Sequence, residues 1–319
     1  MIKLLAIVLG EPNSINSEIA VKAWNKVKKK KKIFLIGNYL LLKQQISKIS
    51  LNIKISKITT FKELNMKNGL NILDIPFKFN SPFESNNPSI KNYIFKSLQV
   101  AHKLALAKKI KGFINLPVNK KIFDGKYLGV TEYLAKKNNL QGKEVMMIYN
   151  KKLSVVPLTT HLELNKVTSK IKFNLIKKKI LILNKSYFKI FKKKPRIAIL
   201  GLNPHNSENR LNSVENKIIK PAVDRLRKFN INIKGPYPAD TVFTNQKKIN
   251  YNVVVGMYHD QVLAPFKALY GYDAINVTLG LHYLRVSPDH GTAQDIIGLN
   301  IGNPQSLISA INFLSKINV

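Results

Sequence analysis

Three histidines, His161, His205 and His259, each follow a short apolar run and stand beside polar turn residues. The first closes Thr159-Thr160-His161, the second closes Gly201-Leu202-Asn203-Pro204-His205, and the third lies in Met257-Tyr258-His259-Asp260-Gln261. Neutral imidazoles delivered by three loops suit zinc or another divalent ion, with further positions open for substrate. Their wide spacing carries no local signature, so the residues alone leave open a metal site and three unrelated loop histidines. Asp240, at the end of Gly235-Pro236-Tyr237-Pro238-Ala239-Asp240, and Asp260 are carboxylates able to orient an imidazole or act as a base. Structural turn carboxylates would look the same.

Other residues suit anions. Pro117-Val118-Asn119-Lys120 presents an amide and a lysine after the run Gly112–Leu116, although a plain surface lysine would read alike. Thr131, in Gly129-Val130-Thr131-Glu132, is placed to open a helix whose first N–H groups could meet a phosphate. Arg285 is one of five arginines against 48 lysines. A planar, bidentate donor recognises carboxylate or phosphate in a way that lysine does not reproduce. It belongs to the richest stretch, residues 252–304. There Val253-Val254-Val255 breaks at Gly256, Ala274–Leu279 ends at Gly280, and a turn carries Arg285, Asp289 and His290 to Gly291.

Strands and helices must hold these groups. Ile2–Leu9 reads as a buried strand followed by a turn, with Ser17 expected to cap a helix running to about Lys29. Ile33–Gly37 reads as a second strand and Tyr39–Ile49 as a second helix, an alternation that predicts a parallel sheet. Residues 50–87 are rich in Asn, Ser and Lys and give no clear order. Pro88 opens a long amphipathic helix to about Lys109, with His102 as an ordinary packed or surface histidine. Val145–Tyr149 and Leu153–Leu158 read as a strand pair, Arg196–Leu200 as a strand, Asn212–Lys228 as a helix and Gly235–Asp240 as a rigid turn. No repeat or Gly/Ser-rich linker appears, so a second domain must join through continuous structure.

At 319 residues the chain can bury one large core or two ordinary ones. It has no cysteine, which excludes disulfides, thiolate metal sites and cysteine nucleophiles. Its first apolar run is too short for a signal peptide and no uninterrupted run of about 18 apolar residues follows, so a cytoplasmic protein without a membrane span is expected. The net charge of +36 invites a nucleic-acid reading. The lysines are spread along the chain, however, together with abundant Ile and Asn, as a bias toward A- and T-rich codons would produce. Clustered Arg with interleaved aromatics is missing, so the charge reads as a solvated surface whose field draws anionic substrates, without specific nucleic-acid binding. No Gly-x-Gly-x-x-Gly follows the first strand, so a dinucleotide would have to be held another way.

Read in order, Thr159-Thr160-His161, Gly201-Leu202-Asn203-Pro204-His205, Gly235-Pro236-x-Pro238-Ala239-Asp240, Met257-Tyr258-His259-Asp260-Gln261, Asn276-Val277-Thr278-Leu279-Gly280 and Asp289-His290-Gly291-Thr292-Ala293 resemble the 4-hydroxythreonine-4-phosphate dehydrogenase family of pyridoxal phosphate synthesis. The resemblance covers nearly the whole chain. It implies an α/β, two-domain isocitrate/isopropylmalate dehydrogenase-like fold with the active site in the interdomain cleft. Residues 1–125 and 286–319 would form a discontinuous domain with the adenosine loop, and 126–285 a second domain with the metal site and dimer interface. It further implies a homodimer with shared active sites and one divalent ion (zinc, magnesium or cobalt) on His161, His205 and His259, the last reaching into the partner's site. Substrate contacts fall on Thr131, Lys267, Asn276 and Arg285. Asp260, Asp240 and Lys120 are the candidates for proton handling. NAD or NADP would sit on His290, Gly291, Thr292, Ala293, Asp295 and Asn303, which explains the missing glycine fingerprint.

The implied reaction is metal-dependent, NAD(P)-linked oxidation of 4-phosphohydroxy-L-threonine at C3. Its product, 2-amino-3-oxo-4-phosphooxybutanoate, decarboxylates to 3-amino-2-oxopropyl phosphate. The rivals are a paralogous dehydrogenase of another phosphorylated hydroxy-acid, such as 4-phosphoerythronate, and a basic nucleic-acid-binding protein. Two departures stand out. The family's Gly-Asp-Pro-x-Gly-Ile-Gly-Pro-Glu is here Gly10-Glu11-Pro12-Asn13-Ser14-Ile15-Asn16-Ser17-Glu18, and its histidine before the phosphate-site threonine is Val130.

Overall fold

The computed structural model describes residues 4–67, 69–244, 250–271 and 273–317. The chain forms two compact α/β units, one from the N-terminal part through Val130 together with His282–Ile317, the other from Thr131–Leu281. The first unit carries β1 (Leu5–Val8), β2 (Ile33–Gly37), β3 (Ile55–Ile58), β4 (Leu70–Asp74), β5 (Gly112–Asn115) and β12 (Leu284–Pro288), in the spatial order β3-β4-β2-β1-β5-β12. Every pairing is parallel. Strands such as Leu-Ala-Ile-Val in β1 are apolar throughout because helices cover both faces of a parallel sheet. Residues 50–87, which gave no clear order, supply β3 and β4.

The second unit carries β6 (Val145–Tyr149), β7 (Ser154–Pro157), β8 (Ile197–Leu200), β9 (Ile233–Tyr237), β10 (Val253–Gly256) and β11 (Ile275–Leu279), in the order β11-β6-β7-β10-β8-β9. Here the expected parallel arrangement holds only in part. β7, β10, β8 and β9 are parallel, whereas β11, β6 and β7 are antiparallel. The connection between β6 and β7 is too short for a crossover, which fixes a hairpin. Asn150 tightens that turn, its Oδ1 accepting from Lys152 N at 3.0 Å.

Three local expectations are corrected. Ser17 does not cap the first helix, which spans Asn16–Val27 with Ile15 at its N-cap. Entry is organised by Asn16 instead, whose Nδ2 donates to Leu9 O and to Pro117 O, both at 2.8 Å, tying the ends of β1 and β5. Residues 235–237 finish β9 instead of forming a turn, and Ala239–Val242 is a short helix. The helix expected from Asn212 begins as a π-turn over Glu215–Ile219 before α-helix Lys220–Lys228; such wide turns collect at functional sites. His102 is a packed core residue, its Nδ1 2.8 Å from Tyr283 OH. Among the described residues no helix is long and apolar enough to cross a membrane.

The core of the second unit gathers Ile148, Val155, Leu200, Val254, Val262 and Phe266. Phe266 anchors helix His259–Tyr270, which starts with a candidate metal ligand. Truncating a fully buried phenylalanine removes its transfer energy and leaves a cavity, so Phe266→Ala should cost about 3–5 kcal/mol. Urea unfolding followed by circular dichroism measures this; a loss below about 1 kcal/mol would show that the helix is held some other way.

Candidate active site

Four adjacent parallel strands, β7, β10, β8 and β9, end on the same edge of the second unit's sheet. Their carboxyl ends lead to His161, His259, His205 and Asp240. The carboxyl edge of such a sheet is where α/β proteins bind ligands. The fold therefore brings to one edge residues scattered over 99 positions of sequence, from 161 to 259. The His161 and His259 rings come to 6.0 Å between centroids. His259 Nδ1 lies 2.6 Å from Asp260 Oδ1. A proton held on Nδ1 by that carboxylate leaves Nε2 as the coordinating nitrogen, the usual arrangement behind a metal-bound histidine. His205 Nε2 is 3.8 Å from Asp240 Oδ2. His161 and His205 are both exposed in the single chain. Among the described residues, no three His, Asp or Glu side chains of one chain are grouped to hold an ion.

His205 sits in an uncommon backbone. His205, Asn206, Ser207, Glu208 and Asn209 all have positive φ, between 47° and 58°. Left-handed conformation costs a residue with a Cβ roughly 1–2 kcal/mol, less for Asn, so such a run needs an external hold. Glu215 supplies it. Its Oε1 accepts from Leu202 N at 2.9 Å, Asn203 N at 2.8 Å and Asn203 Nδ2 at 3.1 Å, and its Oε2 accepts from Ser207 Oγ at 3.1 Å. Asn206 Nδ2 adds a bond to Pro236 O at 3.0 Å. A Cβ on Gly201 would stand 2.1 Å from Asn206 Oδ1, so a larger residue there would have to displace the Asn206 side chain.

The three loops are also bonded to one another. Thr159, before His161, donates through Oγ1 to Met257 O at 2.7 Å. Met257 N donates to Gln261 Oε1 at 2.7 Å, and Gln261 Nε2 donates to Gly201 O at 2.7 Å. Thr159, Gln261 and Glu215 were not singled out from sequence. Their types carry no distinctive spacing, and only the position of Gln261 beside His259 and Asp260 hinted at a role.

A second cluster of candidates lies at helix Val130–Lys137. Thr131 Oγ1 is 3.5 Å from Thr278 Oγ1, and Asn276 shares a face of β11 with Thr278. Asn276 Oδ1 is buried without a hydrogen-bond partner, an acceptor suited to a donor on a ligand. Lys267 is exposed two turns along the helix that begins at His259.

Arg285 belongs to the first unit, buried on β12 with Nε donating to Asn115 Oδ1, and Lys120 is exposed beyond β5. The expected adenosine loop is in the same unit and is clamped by the first helix. Ile15 N donates to Thr292 O at 3.2 Å, Gly302 N to Glu18 Oε1 at 2.6 Å, and Lys22 Nζ to Asn300 O at 2.8 Å. His290 Nδ1 contacts Gly291 O at 2.8 Å while Nε2 is buried without a partner; burial holds its pKa below the ordinary value. Ala293 adopts a left-handed backbone, Asp295 lies in the short helix Gln294–Ile296, and Asn303 Oδ1 accepts from Gln305 N at 2.9 Å. The two glycines missing from residues 10–18 are not required: Ser14 and Asn16 keep ordinary backbone angles, and Gly10 alone in that stretch has positive φ.

The family model for pyridoxal phosphate biosynthetic protein PdxA matches residues 29–314. The chain belongs to the PdxA family. It is 38% identical over 320 residues to 4-hydroxythreonine-4-phosphate dehydrogenase of Sulfurihydrogenibium sp. (strain YO3AOP1), covering 98% of this chain and 97% of that one. A crystal structure of 4-hydroxythreonine-4-phosphate dehydrogenase from Burkholderia phymatum is 30% identical with a TM-score of 0.83, covering 100% and 99% of the two chains. A terephthalate 1,2-cis-dihydrodiol dehydrogenase from Burkholderia xenovorans LB400, 20% identical with a TM-score of 0.65 over 99% of each chain, shares the fold. As a PdxA-family α/β dehydrogenase, the chain builds its histidine-bearing edge in the second unit and its clamped loop in the first.

The Glu215 carboxyl makes a pH-dependent contribution. Burial is the largest influence and would raise its pKa, but donors from Asn203, from its own backbone and from Leu202 together outweigh it, and the pKa lies below the ordinary value. A depressed folded pKa contributes stability that is present above the unfolded value and lost as the pH falls through the folded one. Between about pH 7 and about pH 4 the unmodified protein should therefore lose more melting temperature than Glu215→Gln. Equal losses in a thermal scan would mean that the carboxylate's charge is not what its donors recognise.

Proposed function

We propose that the protein is the NAD(P)-linked dehydrogenase of 4-phosphohydroxy-L-threonine, acting at C3 in pyridoxal phosphate synthesis, with cytoplasmic location as part of the reading. The observation that carries it is the sheet edge where four neighbouring strands present His161, His259, His205 and Asp240, within a chain of the PdxA family. His161, His205 and His259 are the proposed holders of a divalent ion, a donor set suited to zinc, cobalt or magnesium in that order of imidazole preference. When bound, the ion supplies Lewis-acid polarisation that lowers the pKa of a substrate hydroxyl. NAD or NADP is the hydride acceptor, held at His290–Ala293, Asp295 and Asn303.

The chain's own residues then do the following. Asp260 keeps His259 in the tautomer that presents Nε2. Asp240, Asp260 or Lys120 takes the proton of the C3 hydroxyl. Thr131 and Asn276 donate to and accept from the phosphorylated substrate, and Lys267 and Arg285 neutralise its phosphate and carboxylate. The β-keto acid product loses carbon dioxide because the ketone accepts the electrons of the breaking bond. Val130 offers no polar group where the family places a histidine, so phosphate recognition here depends more on the Thr131 end of the helix.

The direct test is NADH or NADPH formation from 4-phosphohydroxy-L-threonine against 4-phosphoerythronate, with metal-stripped and metal-restored enzyme. Turnover of the first substrate, lost on stripping and in His205→Ala, is expected. Full activity after stripping would end the metal assignment, and preference for 4-phosphoerythronate would favour the paralogous reading.

The exposure of His161 and His205, which leaves both side chains open to a further ligand from outside the chain, supports a homodimer with shared sites. In that arrangement His161 and His205 come from one chain and His259 from its partner. His161→Ala and His259→Ala homodimers should each be inactive. Co-refolding equal amounts makes about half the dimers mixed, and each mixed dimer has one whole site, so roughly a quarter of normal activity should return. Mixed dimers verified by differential tags but without turnover would show that each chain supplies all its own ligands.

A further inference from the structure

We infer that Gln261 is a positioning residue for the shared metal sites, holding in fixed relation the His205 loop that serves one ion and the His259 loop that serves the partner's. This rests on the metal reading above and goes beyond it, since Gln261 itself touches neither ion nor substrate in that reading. The side chain is 9% exposed and uses both ends of its amide. Oε1 accepts from Met257 N, two residues before His259, and Nε2 donates to Gly201 O, four residues before His205, both at 2.7 Å. No other side chain could serve equally: the contact needs one acceptor and one donor about 2 Å apart, the geometry of a carboxamide.

The surroundings are shaped to this amide. A Cβ on Gly256 would come within 2.5 Å of Val262 Cγ1 and 2.9 Å of Gln261 Oε1, so a larger residue there would press on the amide as well as on the core. On one side the bridge continues through Met257 O to Thr159 and the His161 loop. On the other it continues from Gly201 to Leu202 and Asn203, whose N–H groups are fixed by Glu215. One amide therefore closes a hydrogen-bonded chain that runs behind all three imidazoles. In the shared-site dimer the His205 loop serves one ion and the His259 loop of the same chain serves the partner's, so a displacement of either loop by a fraction of an ångström changes the angle at which its imidazole meets its own ion.

Co2+ is the probe, because its visible absorption reports ligand geometry as well as occupancy. Gln261→Met keeps the volume and removes both bonds. Gln261→Glu keeps the acceptor and sets a carboxylate oxygen against Gly201 O. Phe266→Leu loosens the same helix through its core without touching the bridge. Co2+ titrations of all three full-length variants, checked for folding by circular dichroism, should show both Gln261 variants binding about ten- to a hundredfold more weakly with an altered band shape, as loss of groups that orient ligands does elsewhere. Phe266→Leu should bind like the unmodified protein. Gln261 variants with unchanged affinity and spectrum would overturn the inference alone. So would an equal loss in Phe266→Leu, which would reduce the role to general stability. Folded unmodified protein that takes up no Co2+ would instead overturn the metal reading and this inference with it.

Discussion

The backbone of Met257 is the point on which the second unit's histidine edge depends. Its carbonyl accepts from Thr159 and its N–H donates to Gln261, so one residue at the end of β10 is bonded toward the loops on both sides. β10 lies between β7 and β8, and the three loops leave parallel strands in register. The strands alone would set the loop origins about 4.8 Å apart and leave their tips free. Side-chain amides, a hydroxyl and a buried carboxylate then remove that freedom. Buried polar contacts of this kind add little net stability, but leaving any member unpaired is costly, so the set behaves as a unit.

The energetics of the His205 loop follow the same logic. Five consecutive left-handed residues would not persist in an isolated peptide. Asn at 206 and 209 lowers the cost, and Glu215 offsets the rest by accepting several N–H and O–H donors at once. Strain placed here is stored where a histidine has to be aimed, which is the common location of such backbone. In the first unit the loop after β12 is treated differently. It is tied down by Glu18 and Lys22 of a regular helix and by Ile15 at that helix's N-cap.

Much of this was legible in the chain. The apolar runs before His161, His205 and His259 marked strands correctly because parallel strands are buried on both faces and read as continuous hydrophobic segments. The motifs around those histidines pointed to the family, which the family model and the relatives bear out. The order β7-β10-β8-β9 was not legible. Strand neighbours are chosen by crossover geometry and packing between distant segments, and no residue type announces them. Glu215 was hidden inside a stretch that reads as ordinary helix, since a π-turn differs from an α-turn by one residue and leaves no mark on hydrophobic period. Residues 50–87 failed for a simpler reason: polar loops surround strands of four or five residues, too short to show a period.

Asn16 stands where the resembled family pattern has a glycine. Many glycines cannot be replaced because the backbone needs their torsion angles. At position 16 the angles are ordinary, and what the site rewards is contact with the carbonyls of Leu9 and Pro117. An asparagine amide makes that contact and stitches two strand ends that a glycine would leave merely adjacent. A side chain where a glycine would fit can thus act as a tether, and the fold's tolerance for it is set by which carbonyls lie within reach.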